Sequence, residues 1–175
     1  MSVIKVLFWN LYNKNLISPL IDLIKENKTD VVTLAEATNL DIPAVLNHLK
    51  VCGDEWKDIQ ISATNDIRVL AKKEMQIIPF KEEKHYSIYK VKKKEKLESL
   101  LVVVHLLSKK IKSDEAQYNR AYNISRELNK YEQELFCETE RRTIVVGDFN
   151  MQPYEAGICS GYGLMQPCRL FMRLK

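Results

Sequence analysis

Four short apolar runs punctuate the chain, at residues 3–9, 31–35, 100–104 and 144–146. They are rich in Val, Ile and Leu and mostly too short for helices, so they predict strands. Because they are nearly continuous rather than alternating, both faces should be covered, as in the interior of a layered α/β domain. Helical stretches lie between them. Ser18 followed by Pro19 predicts a helix start, a capping hydroxyl and then a proline in the first turn, with Leu20, Leu23 and Ile24 forming one apolar face up to about Asn27. A second helix is expected from Asp41, with Pro43 in its first turn, Val45, Leu46 and Leu49 on its buried side, and Cys52-Gly53 at its end.

The middle third has a different period. Ile67, Val69 and Ala71 alternate with Arg68, Leu70 and Lys72, and residues 86–91 alternate more weakly, which predicts antiparallel strands. The lysine-rich stretch 92–96 falls between the 86–91 and 97–104 strands, where a hairpin turn is due. It reads first as a solvated turn and second as a phosphate-binding one. Ser113 should begin the longest helix: Asp114 and Glu115 suit its N-terminus, Ile124, Leu128, Tyr131 and Leu135 recur on one face, and it should stop before Arg141. The whole pattern predicts an α/β (α+β) chain, a β-sandwich with helices packed outside rather than a doubly wound parallel sheet.

With 175 residues, 46% of them hydrophobic, the chain has the length of one domain able to bury its own core without staples. A net charge of +4 permits an anionic ligand without demanding one. Cys52, Cys137, Cys159 and Cys168 lie far apart with no zinc-like spacing, and reduced thiols in a cytoplasmic protein are the expectation. No secretory leader and no membrane-spanning run are evident. The five glycines form neither GxGxxG nor GxxxxGK[ST], and no GxSxG elbow occurs. Nucleotide triphosphate chemistry and serine nucleophiles are therefore not indicated, which leaves hydrolysis by activated water.

Each of the four apolar runs ends in a residue able to do chemistry: Asn10, Glu36, His105 and Asp148, with Asn150 two residues further on. Singly, each also reads as a solvated strand end or an Asx turn before Pro153. Together they fit a shared crevice beyond the carboxyl ends of strands. Two hard carboxylates and two amides suit Mg²⁺, with Mn²⁺ as the alternative ion, because Mg²⁺ takes one or two carboxylates and completes its shell with water and phosphate oxygens. His105, ordinarily titrating near pH 6.5, could face a phosphate or pass a proton. His48 and His85 are expected to face solvent, and Trp9 and Trp56 to be core or rim aromatics.

In order, the segments FWNLY, DVVTLAEA, VVVHLLSKK and VVGDFNMQP, which supply these five residues, resemble the endonuclease/exonuclease/phosphatase superfamily. The resemblance covers residues 2–164 and implies a four-layer sandwich of two mixed β-sheets flanked by helices. It implies that Glu36, assisted by Asn10, centres the metal site. Asp148 then orients or deprotonates the attacking water, Asn150 positions that aspartate or a phosphate oxygen, and His105 steadies the phosphate. Family members close with further strands and a Ser-Asp-His element that residues 165–175 do not match. A family-like domain at 1–164, incomplete at its C-terminus and lacking its final strands, followed by a non-family tail, is therefore expected. Exposed sheet edges should then favour self-association. The activity implied is Mg²⁺-dependent cleavage of phosphodiester bonds, with nucleic acid the first substrate class, supported by the basic residues of 92–96 and by Lys109, Lys110 and Lys112, and small or lipid phosphates the second. A catalytically silent remnant, or a module that binds phosphate or a partner without turnover, is the alternative.

Overall fold

The apolar runs do form strands, and they pair into two separate sheets. A computed structural model describes residues 4–59, 66–94, 98–108, 113–136, 142–165 and, for the backbone, 169–172. The elements in chain order are β1 (Val6–Asn10), α1 (Ile17–Asn27), β2 (Val31–Ala35), α2 (Ile42–Val51), β3 (Trp56–Asp58), β4 (Ile67–Lys72), β5 (Met75–Glu83), β6 (Tyr86–Lys93), β7 (Ser99–His105), α3 (Asp114–Leu135), β8 (Thr143–Asp148), α4 (Ala156–Cys159) and β9 (Arg169–Met172). The first sheet runs β1-β2-β4-β3 and the second β5-β6-β7-β8-β9. Both are mixed: β1 and β2 are parallel and β2 and β4 antiparallel in one, while β6 and β7 are antiparallel and β7 and β8 parallel in the other.

Period-two alternation divides each strand between two cores. In β7, Leu101 and Val103 pack between the sheets against Val31, Ala35 and Val69, whereas Leu100, Val102 and Val104 face Ile124 and Leu128 of α3. In β2, Val32 and Leu34 face the opposite way, onto Leu20 and Ile24 of α1 and Val45 and Leu49 of α2. The layers are therefore helices, sheet, sheet, helices, the four-layer sandwich that the sequence pattern and the resemblance implied. The near-continuous apolar runs arise because every face of an interior strand meets either a helix or the other sheet.

Two of the three predicted helix caps form and one does not. Asp41 caps α2, accepting from Ala44 N at 2.9 Å, and Ser113 caps α3, accepting from Ala116 N at 3.3 Å. Helix α1 instead starts at Ile17 after Leu16, with no side-chain cap, so Ser18 and Pro19 sit inside its first turn. Leu16 and Ile17 pack against the outer core, and that burial wins over the capping hydroxyl.

Strand β5 escaped the sequence pattern because it is an edge strand of mixed polarity with a register shift between Pro79 and Lys81, the sort of position where a proline without an N–H is tolerated. Residues 95 and 96 of the lysine stretch lie outside the described residues, and residues 92–94 are only partly a solvated turn. Lys92 and Lys93 end β6, and Lys93 Nζ reaches the buried Asp30 Oδ1 at 2.6 Å, while Lys94 does occupy the turn with φ of 51°. The tail contributes β9, paired in parallel with β8. Among the described residues, β8 is thus an interior strand rather than an exposed edge. Lys109, Lys110, Lys112, Cys137 and Cys168 lie outside the described residues.

Candidate active site

All four strand-end residues come from the same end of the sandwich. Asn10 closes β1, and Glu36 follows the parallel neighbour β2, with Asn10 paired to Ala35. His105 and Asp148 close the parallel pair β7 and β8 and face each other in register. Parallel pairing is what aligns the ends: two adjacent parallel strands must finish at the same edge of their sheet.

The two pairs then meet across the sandwich. Asn10 Nδ2 donates to Glu36 Oε1 at 3.1 Å and to Asp148 Oδ2 at 3.2 Å, which ties a carboxylate of the first sheet to one of the second. Its amide orientation is fixed by a donor that has no alternative role, since Tyr12 N–H donates to Asn10 Oδ1 at 3.0 Å. His105 Nε2 lies 3.3 Å from Glu36 Oε1. Asn150 N–H donates to Asp148 Oδ1 at 3.1 Å and Asn150 Nδ2 to Leu106 O at 2.6 Å, so each oxygen of Asp148 is held by a different asparagine. The five residues singled out by sequence therefore converge on one site.

The backbone under them is unusual at Gly147, Glu36 and Asn150. Gly147, with φ of 153°, lies so close to β7 that a Cβ there would sit 1.9 Å from Val104 O. Only glycine lets β8 approach β7 in this way immediately before Asp148. Glu36 and Asn150 both occupy the left-handed region at φ of 48°. Asparagine accepts that conformation readily, but a glutamate there carries strain of order 1 kcal/mol. Glu36 is held in it by its own N–H to Asp66 O at 3.1 Å and by Asn13 N–H to its carbonyl at 2.9 Å.

One reading of the sequence needs correction. His85 does not face solvent freely: it is half-buried, its carbonyl accepts from His105 N–H at 2.8 Å, and its Nδ1 is buried with no hydrogen-bond partner. Burial first, and then the positive charge of Arg120, Lys84 and His105, pushes its pKa below the usual histidine value. It sits in the turn between β5 and β6, and without β5 the sequence held no sign that this turn reaches the site. His48 is exposed as expected. Trp56 is a buried core residue, and Trp9 packs partly buried against the same core.

The donor set suits a hard divalent cation in part. Among the described residues no three His, Cys, Asp or Glu side chains form a cluster able to hold a metal ion. Mg²⁺ does not require one, because one or two carboxylates with water and substrate oxygens suffice. Glu36, whose side chain is 30% exposed, and Asp148 offer those oxygens. Asn10 presents its N–H groups to them, its own oxygen being engaged by Tyr12.

The fold is shared with solved structures of known proteins. Truncated Caenorhabditis elegans TDP2 superposes with a TM-score of 0.59 at 15% identity, over 85% of this chain and 63% of its own. A humanized D. rerio TDP2 gives 0.54 at 17% identity, over 94% and 68%. ANGEL2, described as a 2′,3′-cyclic phosphatase, gives 0.53 at 14% identity, over 85% and 53%. The chain thus spans about 63% of the first of these and about half of the last. No family model and no curated protein matches it. No described helix is long and apolar enough to cross a membrane.

Proposed function

We propose that this chain carries the catalytic face of a Mg²⁺-dependent phosphoesterase that cleaves phosphodiester bonds, with nucleic acid as the substrate class. The observation that carries the reading is the Asn10 bridge: one amide holds Glu36 and Asp148 from two different sheets at 3.1 and 3.2 Å. Two carboxylates brought together at the mouth of a sandwich, with an imidazole beside one of them, form a water-activating and cation-holding set rather than a packing feature. The shared fold with ANGEL2, a phosphatase by its description, supports the same class of chemistry.

Glu36, whose Oε2 has no hydrogen-bond partner among the described residues, would hold the cation with Asn10 beside it, and the cation when bound supplies positive charge to the phosphate oxygens. The remaining work belongs to the side chains. Asp148, steadied by Asn10 and Asn150, accepts the proton of the attacking water. His105 presents Nε2 to the phosphate oxygen as negative charge grows. Asn150, fixed on Leu106 O, keeps the Asp148 carboxylate from rotating away.

The test is hydrolysis of plasmid DNA, single-stranded RNA and a chromogenic phosphodiester by the purified chain, with and without Mg²⁺, beside Glu36→Ala and Asp148→Ala. Activity that needs Mg²⁺ and vanishes in both variants supports the proposal. A folded chain that hydrolyses none of the three overturns it and favours a phosphate-binding or catalytically silent role.

A further inference from the structure

Seven large hydrophobic or aromatic side chains are exposed among the described residues, and four of them are tyrosines: Tyr12, Tyr122, Tyr154 and Tyr162. Tyr122 and Tyr162 meet edge to face, with ring centroids 6.1 Å apart, and account for each other. Tyr12 and Tyr154 have no aromatic partner among the described residues and stand 68% and 78% exposed. Both lie on the loops that leave the site: Tyr12 two residues beyond Asn10 on the first sheet, Tyr154 six residues beyond Asp148 on the second.

Neither loop is slack. Tyr12 N–H is held by Asn10 Oδ1, and the next residue is pinned twice, by Asn13 N–H on Glu36 O and by Asn39 Nδ2 on Asn13 O. Tyr12 also sits at φ of 50° and Asn13 at 54°. That left-handed turn suits glycine or asparagine, and a bulky ring there is strained with no burial to offset it. The Tyr154 turn is closed by Gln152 N–H on Glu155 Oε1 at 2.7 Å, by Glu155 N–H on Gln152 O at 3.0 Å, and by Cys159 Sγ on Tyr154 O. Both rings thus stand in water on turns that hydrogen bonds hold in place.

We propose that Tyr12 and Tyr154 are stacking platforms for unpaired nucleobases of a single strand whose phosphate lies at the Asn10–Asp148 contact. This rests on the phosphoesterase reading and deepens it by naming the substrate form. Three observations select the occupant. The rings come from opposite sheets on loops that begin at the two residues tied by the Asn10 bridge, so a chain crossing the site can offer a base to each. The residues between them suit a phosphate. A net charge of +4 is compatible with a polyanion. Bases within a duplex already stack on their neighbours, and only unpaired bases present free faces to tyrosines.

The experiment is equilibrium binding of a fluorescein-labelled single-stranded DNA octamer, without Mg²⁺ so that nothing is cleaved, read by anisotropy. The probes are the octamer, the same octamer made abasic at its central positions, and its duplex. Tyr12→Ala and Tyr154→Ala should each weaken binding of the octamer by about 5- to 100-fold, the range expected for losing one stacked base, while Tyr12→Trp and Tyr154→Trp retain it. The abasic octamer, with the same phosphates, should bind wild type weakly and be indifferent to the tyrosines. Equal loss on intact and abasic octamers, or no loss at all, overturns the platforms. Matching thermal midpoints for the alanine variants and wild type exclude misfolding as the cause of a loss. The two readings fail separately: tyrosine-dependent binding without any Mg²⁺-dependent hydrolysis sinks the phosphoesterase and leaves the platforms, whereas hydrolysis with tyrosine-independent binding does the reverse.

Discussion

At the scale of single residues, the site depends on side chains whose positions are set by their neighbours. Asp148 is the clearest case, since its two oxygens accept from Asn10 Nδ2 and Asn150 N. Asp148→Asn would remove the proposed proton acceptor and set an amide N–H₂ against one of the two donors, Asn10 Nδ2 or Asn150 N–H, and Glu36→Gln would lose the charge beside His105. Each should lower kcat on any hydrolysed diester by about 10²- to 10⁴-fold with unchanged circular dichroism. An Asp148→Asn enzyme within fivefold of wild type would remove that residue from proton transfer. Gly147 presents the opposite situation, a residue that touches no substrate. A Cβ 1.9 Å from the Val104 carbonyl cannot be accommodated by rotating a side chain, because both partners are backbone in a paired ladder. Gly147→Ala is therefore expected to cost about 3 kcal/mol or more in a urea titration, or to prevent folding outright. A loss under 1 kcal/mol would mean that β7 and β8 separate easily at the site.

At the scale of elements, legibility in the sequence followed burial. Strands β2, β7 and β8 announced themselves because helix and sheet cover both their faces, and the catalytic candidates were legible because each stood at the end of such a run. Strand β5 was hidden by its edge position and its Lys and Glu residues, and with it went the turn that brings His85 to the site. The Asn10 bridge could not be read at all, since it joins residues 138 positions apart across two sheets. Strand β5 earns its place through Lys81, which donates to Glu127 of α3 at 2.9 Å and stacks its ammonium near the Tyr86 ring. The Lys81 ammonium holds the Glu127 carboxyl below its ordinary value of 4.5. A carboxylate lowered on folding contributes fully above its unfolded pKa and loses that contribution as pH falls through its folded pKa. Both groups are partly exposed, so the contribution should be no more than about 1 kcal/mol. Glu127→Gln should accordingly lower the urea midpoint slightly at pH 7 and less as pH falls toward 3, narrowing the gap between the two. A variant whose midpoint falls equally at both pH values would show that the ion pair is not what docks β5 to α3.

At the scale of the whole molecule, the site exists only while two sheets keep their spacing, because Asn10 and Glu36 belong to one sheet and His105 and Asp148 to the other. One end of the sandwich is joined by the Asn10 and His105 contacts themselves. The other is joined by Asp30, just before β2, and Lys93, at the end of β6. That carboxylate is 5% exposed, accepts from Lys93 Nζ at 2.6 Å, and also accepts from Lys5 N–H at 3.0 Å. A buried pair of this kind adds little over an apolar replacement of the same shape, but removing one partner strands the other charge. Lys93→Met should thus destabilise the chain by about 3–5 kcal/mol, and Asp30→Asn combined with Lys93→Met should recover most of that, since asparagine still accepts from Lys5 and carries no charge. Chemical denaturation of the two single variants and the double variant measures the coupling directly. If Lys93→Met costs under 1 kcal/mol, the pair is a surface contact and the sheets are held by their shared apolar core alone. If the cycle closes as expected, the spacing that lets one asparagine reach two carboxylates is set from both ends, and the charge pair far from the chemistry belongs to the construction of the site.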